Sequence, residues 1–194
     1  IATFMGRYYA MDRGKEWQLT TRAYNAITKG EGKKINTEEN LEDAIQEVYK
    51  TKTPNGKDMF DEYIPPLIIG GYEGLNDGDS VIHFNYRQDR AIQLTMAFVE
   101  DDYPGERWKK FDIVYCGLTR YYDTFPYNIL EPMDDSGGMN NLLSQILSQR
   151  GLKQIRISET QKYSHVTSFI DGKRTEPYPG EEQIEIKGTF DPAT

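Results

Sequence analysis

Ser80-Val81-Ile82-His83-Phe84-Asn85-Tyr86-Arg87-Gln88-Asp89-Arg90-Ala91-Ile92-Gln93-Leu94-Thr95-Met96-Ala97-Phe98 carries two periodicities back to back. Residues 80–86 are rich in β-branched and aromatic side chains and read as a strand. Arg87-Gln88-Asp89-Arg90 leads out of it into an amphipathic helix bearing Ala91, Ile92, Leu94, Thr95, Ala97 and Phe98. A strand running straight into a helix is the repeating unit of an α/β fold.

The same alternation extends in both directions. Upstream, Ile1-Ala2-Thr3-Phe4 opens as a strand, and Trp17, Ala23, Tyr24 and Ile27 recur at helical spacing until Lys29-Gly30-Glu31-Gly32 supplies a stop. Thr37 fits an N-cap, with Leu41, Ala44, Ile45, Val48 and Tyr49 as the core-facing stripe of a second helix. Thr53-Pro54-Asn55-Gly56 and Asn76-Asp77-Gly78-Asp79 are turns, with Tyr63–Ile69 between them as an extended segment interrupted by two prolines. Downstream, Asp112–Gly117 is a buried strand, and the breaker-rich stretch from Pro126 to Gly138 reads as a linker with a boundary near residue 134. Met139, Leu142, Leu143, Ile146 and Leu147 then form a helix stripe ended by Gly151. Strands are expected at Gln154–Ser158, Val166–Ile170 and Gln183–Lys187, with Asp171-Gly172 as a hairpin turn.

Composition narrows the function. The 194 residues carry 23 Lys and Arg against 31 Asp and Glu, a formal charge of −8, with a pI near 4.9. That balance opposes a nucleic-acid partner, whose phosphates are bound mainly by clustered cations. No apolar stretch approaches twenty residues, so no membrane-spanning helix is expected. Cys116 alone forms neither a disulfide framework nor a four-cysteine zinc site and reads as a small core residue. The opening without methionine and the close at Asp191-Pro192-Ala193-Thr194 suggest a section of a longer protein.

Most site chemistries find no foothold. Gly70, Gly71 and Gly74 follow an apolar run but open no helix, and Gly56-Lys57 and Gly172-Lys173 lack the rest of a phosphate loop. His83 and His165 stand far apart, outside any paired metal motif, and read as satisfied core or surface histidines. Asp77/Asp79 and Asp134/Asp135 lack the oxygen set of a calcium loop and read as solvated turns. The arginines are more informative. Arg7 and Arg13 follow the opening strand, and Arg87 and Arg90 stand where a helix begins, an end that already carries positive dipole charge. Such placement in an acidic chain suits a clamp for phosphate or carboxylate, or else Arg87 and Arg90 pair with Asp89, Glu100 or neighbours on a solvated face.

Gly6-Arg7-Tyr8-Tyr9-Ala10-Met11-Asp12-Arg13, Phe84-Asn85-Tyr86-Arg87-Gln88-Asp89-Arg90-Ala91, the run from Gly151 to Thr167, and Pro179-Gly180-Glu181-Glu182 stand in one order. That series resembles the successive motifs of cofactor-independent phosphoglycerate mutase, over nearly the whole chain. The resemblance implies an α/β fold of the alkaline phosphatase superfamily, in which a layered phosphotransferase domain with flanking helices is inserted into a phosphatase domain. Residues 1–133 then correspond to the later part of the transferase domain and residues 134–194 to the start of the returning phosphatase segment. It further implies a cytoplasmic, monomeric isomerase that interconverts 3-phosphoglycerate and 2-phosphoglycerate through a phosphoserine and two Mn²⁺ ions. Arg7, Arg13, Arg87 and Arg90 match the family's substrate-binding arginines, and Lys162 matches a catalytic lysine reaching the phosphoryl group.

The serine nucleophile, an early Arg-Asp pair and the late Asp-His metal ligands of the family have no counterpart here. The resemblance therefore implies a section that binds substrate, holds no metal, is inert alone and can self-associate through exposed strand edges. Gly14, Gln161 and Ser168 depart from the family pattern, as does the tail after Lys187. Two alternatives use the same residues: a stand-alone module binding an anion or a partner on a mutase-like scaffold, and another phosphatase or mutase of the superfamily.

Overall fold

The computed structural model describes residues 1–36, 41–122, 124–130, 139–172 and 174–187. They form a mixed α/β structure of small sheets with flanking helices, in two compact units divided after Leu130. The residues expected to hold the Thr37 cap and the Asp134-Asp135 pair lie outside the described residues.

In the first unit, β1 (Thr3–Phe4), β2 (Lys33–Ile35) and β3 (Leu67–Ile69) form a sheet in the order β1-β3-β2. β1 runs antiparallel to β3 and β2 parallel to it. Helix α1 (Arg7–Ala10) follows β1, α2 (Trp17–Lys29) precedes β2, and α3 (Leu41–Tyr49) follows β2. The α3 stripe does what its spacing predicts, since Ala44 and Val48 are buried against Ile35, Ile64 and Leu67. Helix α2 ends where Gly30 turns left-handed at φ 61°, its N–H donating to the Asn25 carbonyl. A Cβ at that position would stand 2.5 Å from the Tyr72 carbonyl oxygen, so glycine is required there on two counts.

The junction of residues 80–98 becomes β4 (Ser80–His83), a loop, and α4 (Ile92–Val99), followed by β5 (Val114–Gly117) parallel to β4. The strand is shorter than expected because the Tyr121 hydroxyl donates to the carbonyls of both His83 and Asn85, each at 2.7 Å, and bends the chain away. Helix α4 is also less amphipathic than its sequence suggests. Ala91, Gln93, Leu94, Thr95, Ala97 and Phe98 are all buried, in a core shared with Tyr9, Ala23, Tyr24, Tyr115 and Tyr121.

In the second unit, α5 (Leu143–Gln149) leads to β6 (Gln154–Glu159), α6 (Thr160–Val166) and β7 (Glu181–Ile186). The strand expected at Val166–Ile170 is absent. β6 and β7 pair in parallel from Gln154↔Glu181 to Glu159↔Ile186, and a parallel pair needs a crossover, which α6 provides. Val166 therefore ends a helix, and Asp171-Gly172 makes no hairpin. The helix expected from Met139 starts only at Leu143, after Asn141 adopts a left-handed φ of 63°. Its apolar stripe is partly solvent-facing, with Met139 and Leu143 exposed, while Ser144 is fully buried. The Ser144 hydroxyl donates to Asp171 and accepts from Arg156 at 2.6 Å.

Candidate functional site

The four singled-out arginines all belong to the first unit, and three segments supply them. Gly6 donates its N–H to the Ile64 carbonyl at 2.9 Å and presses on the backbone of residues 61–62. A Cβ there would lie 2.2 Å from the Glu62 carbonyl oxygen. This close approach starts α1 against the turn of residues 61–63, where Arg7 forms an ion pair with Glu62.

Beyond α1 the chain turns around Asp12, which is only 2% exposed. Its carboxylate accepts from Gly14 N at 3.1 Å, Glu16 N at 2.8 Å and the Gln93 side-chain amide at 2.7 Å. Arg13 thereby projects toward Asp89, with Nη1 2.8 Å from Oδ2 and both side chains 17% exposed. From the loop before α4, Arg87 places Nε 3.5 Å from the other Asp89 oxygen, and its own N–H donates to Asn85 Oδ1 at 3.0 Å. Arg90 is buried and donates to the Met11 carbonyl at 3.0 Å. The loop itself is held by Tyr121 and by Gln88, whose amide donates to the Arg120 carbonyl at 2.5 Å.

The charges around Arg90 act on its ionisation. Burial pushes the Arg90 guanidinium below its ordinary value, and the positive charges of Arg13, Arg7 and Arg87 push the same way, while Asp89 pulls upward. Arg13 and Arg87 pair with Asp89 and Arg7 with Glu62, the Arg87 pair being what the pairing reading expects of a neighbouring acid. Glu100 is not among their partners; it accepts the Tyr122 hydroxyl. An arrangement of several forked donors around a junction can hold a phosphate and a carboxylate together.

Lys162 lies on α6 in the second unit, on an exposed stretch. His83 joins the core through its Nδ1, 2.8 Å from the Tyr115 hydroxyl and 3.3 Å from Thr95 Oγ1. His165 packs on Phe169 with ring centroids 5.0 Å apart. Asp77 is committed to Lys109 at 2.6 Å and to Asp112 N at 3.0 Å, and Asp79 accepts from Asn76 N at 2.7 Å. Among the described residues no group of three or more His, Cys, Asp or Glu could hold a metal ion. A pair of Mn²⁺ ions therefore finds no fitting donor set in these residues. Cys116 is half-buried with a free thiol, and no described helix is long and apolar enough to cross a membrane.

Asp12 and Gln93 escape a reading by residue type. Asp12 is an ordinary acidic neighbour of Arg13, and Gln93 is an amide inside an apolar helix. A polar residue in such a register is the one signal that could have drawn attention to it.

The family model described as BPG-independent PGAM N-terminus matches residues 1–123. The chain belongs to this family. Among curated relatives, the 2,3-bisphosphoglycerate-independent phosphoglycerate mutase of Moorella thermoacetica is 41% identical over 195 residues, covering 96% of this chain and 35% of the relative. Its counterpart from Synechococcus sp. (strain JA-3-3Ab) is 40% identical over 190 residues, with 96% and 33% covered. A crystal structure of Leishmania mexicana phosphoglycerate mutase at low cobalt concentration is similar with a TM-score of 0.74 and 25% identity, over 96% of this chain and 34% of that one. This BPG-independent PGAM family member thus spans about a third of the length of the relatives it matches.

Proposed function

We propose that these 194 residues supply the substrate-anchoring part of a phosphoglycerate mutase that interconverts 3-phosphoglycerate and 2-phosphoglycerate. The observation that carries the reading is that Arg13 and Arg87 meet on Asp89 while Arg90 donates to the Met11 carbonyl beside them, in a chain of net charge −8. Phosphoglycerate presents a phosphate and a carboxylate on three carbons, and forked guanidinium groups match both in geometry and charge. In a transfer through a phosphoserine, the glycerate must stay bound after the phosphoryl group leaves and be turned before it returns. Arginines that hold it do not themselves take the phosphoryl group.

In this reading the first unit is a portion of the phosphotransferase domain and the second the start of the returning phosphatase segment, where Lys162 reaches the phosphoryl group. Two Mn²⁺ ions would bear charge in the complete enzyme, with ligands and nucleophile drawn from other polypeptide. The reading is supported by family membership and by the names of the relatives.

Calorimetric titration of the chain with 3-phosphoglycerate is the test. Saturable binding that weakens at least tenfold in both Arg13→Ala and Arg90→Ala is expected. Absence of binding at millimolar ligand contradicts the reading. In a complete mutase built around these residues, Arg87→Ala should cost about 2–4 kcal/mol of transition-state stabilisation, and wild-type kinetics would remove Arg87 from the site.

A further inference from the structure

Residues 11–16 carry Arg13 on a loop whose shape comes from two side chains outside the arginine group. Oδ1 of Asp12 accepts from Gly14 N, and Oδ2 accepts from both Glu16 N and Nε2 of Gln93. Gln93, on α4 and buried, uses its other end as well: Oε1 accepts from Lys15 N at 2.8 Å, and Nε2 also donates to Thr20 Oγ1 at 3.0 Å. Lys15 sits at φ 64°, a left-handed conformation that a non-glycine residue holds only when its surroundings impose it. Three successive backbone N–H groups, those of residues 14–16, thus end on one buried carboxylate and one buried amide. Arg90, three residues before Gln93, donates to the Met11 carbonyl at the start of the same loop.

We infer that Asp12 and Gln93 form a clasp that positions Arg13 relative to Arg90, and so sets the spacing of the anion clamp. The donor and acceptor roles leave no freedom in register. Gln93 must point its NH₂ at Asp12 for its carbonyl to meet Lys15, and α4 then fixes loop and arginine as one body. Asp12 and Gln93 are positioning residues, and their effect on ligand runs through Arg13 and Arg90. The inference rests on the reading of the arginines as a phosphoglycerate clamp.

The test is a double-variant cycle in the 194-residue chain, read by amide exchange and by 3-phosphoglycerate titration. Asp12→Asn sets an NH₂ against two donors, and Gln93→Glu sets a carboxylate against a carboxylate. The pair Asp12→Asn with Gln93→Glu restores one donor facing one acceptor, with the original charge. Slow exchange of the N–H groups of Gly14, Lys15 and Glu16 is expected in the wild type and lost in each single variant; the pair should regain it at Gly14 and Lys15 but not at Glu16, whose N–H still faces the introduced NH₂, while α2 stays protected. Affinity should fall more than tenfold in each single variant and return to within about threefold of wild type in the pair.

Fast exchange of these three amides in the wild type overturns the clasp without reference to any ligand. Undiminished affinity in a single variant that has lost protection overturns it too, leaving the clamp intact. Recovery of thermal stability but not of affinity in the pair reduces Asp12 and Gln93 to a purely structural role and also overturns it. Failure of the wild type to bind 3-phosphoglycerate while its amides are protected overturns the clamp, and with it the purpose assigned to the clasp.

Discussion

Arg13 and Asp89 face each other with little solvent between them, so their pairing bears on stability as well as on ligand. Truncating Arg13 leaves a largely buried carboxylate with only the distant Arg87 contact, and Arg13→Ala should lose about 1–3 kcal/mol of folding stability in urea titrations. Arg87 is 64% exposed and 3.5 Å from the same carboxylate. Its truncation should change stability by less than about 0.5 kcal/mol while still weakening anion binding. His83 makes the opposite kind of contribution. Burial holds its imidazole below the ordinary value of 6.5, so the unfolded chain takes up a proton there before the folded one does. Its effect on stability is absent above the unfolded value, where both states are neutral. As pH falls through 6.5 toward the lower folded value, stability is lost. Thermal unfolding between pH 7.5 and 5.5 should show this decline, and His83→Gln should flatten it; an identical slope in that variant would contradict the assignment.

At the scale of elements, the Tyr121 hydroxyl is one of the anchors of the loop between β4 and α4. Tyr121 donates to His83 and Asn85 and accepts from Leu118 N at 3.2 Å; in Tyr121→Phe the His83 carbonyl still accepts from Asn85 N and Leu118 N, and the Asn85 carbonyl loses its hydroxyl partner. A loss of about 1–3 kcal/mol is expected by urea unfolding, with weaker phosphoglycerate binding because Arg87 and Arg90 leave from that loop. The sequence makes the neighbouring elements plain. Ala44 and Val48 announce α3 by their spacing, and Gly30 announces the end of α2. It does not announce where β4 stops, because Phe84 and Tyr86 suit a strand as well as His83 does and the decision is taken by a tyrosine 35 residues or more downstream. Nor does it give α6. Val166–Ile170 has strand composition, but the parallel pairing of β6 with β7 is a tertiary fact, and it makes a crossover of that segment. The arginines stand out in the sequence through their motifs, whereas Asp12 and Gln93, which bond the loop around Arg13, are hidden by their ordinary residue types.

For the molecule as a whole, the account separates anchoring from chemistry. The arginines are present, and among the described residues no metal cluster is. On the proposed reading, a chain about a third of the length of its relatives should bind phosphoglycerate without turning it over, even with added Mn²⁺, in an assay coupled to consumption of 2-phosphoglycerate. Ile82 and Val114 on the β4–β5 pair are exposed, as is Phe84 just beyond β4, by 83%. Apolar area of that kind favours association, and light scattering should give a mass above 22.4 kDa at high concentration. The central claim, however, concerns where the anion sits. Titrating isotope-labelled chain with 3-phosphoglycerate and following the side-chain Nε–H signals of its arginines by NMR tests that directly. Saturable shifts concentrated on Arg7, Arg13, Arg87 and Arg90, with those of Arg22, Arg150 and Arg174 unmoved, are the predicted result; saturable shifts centred on other arginines, or none at all, would contradict it.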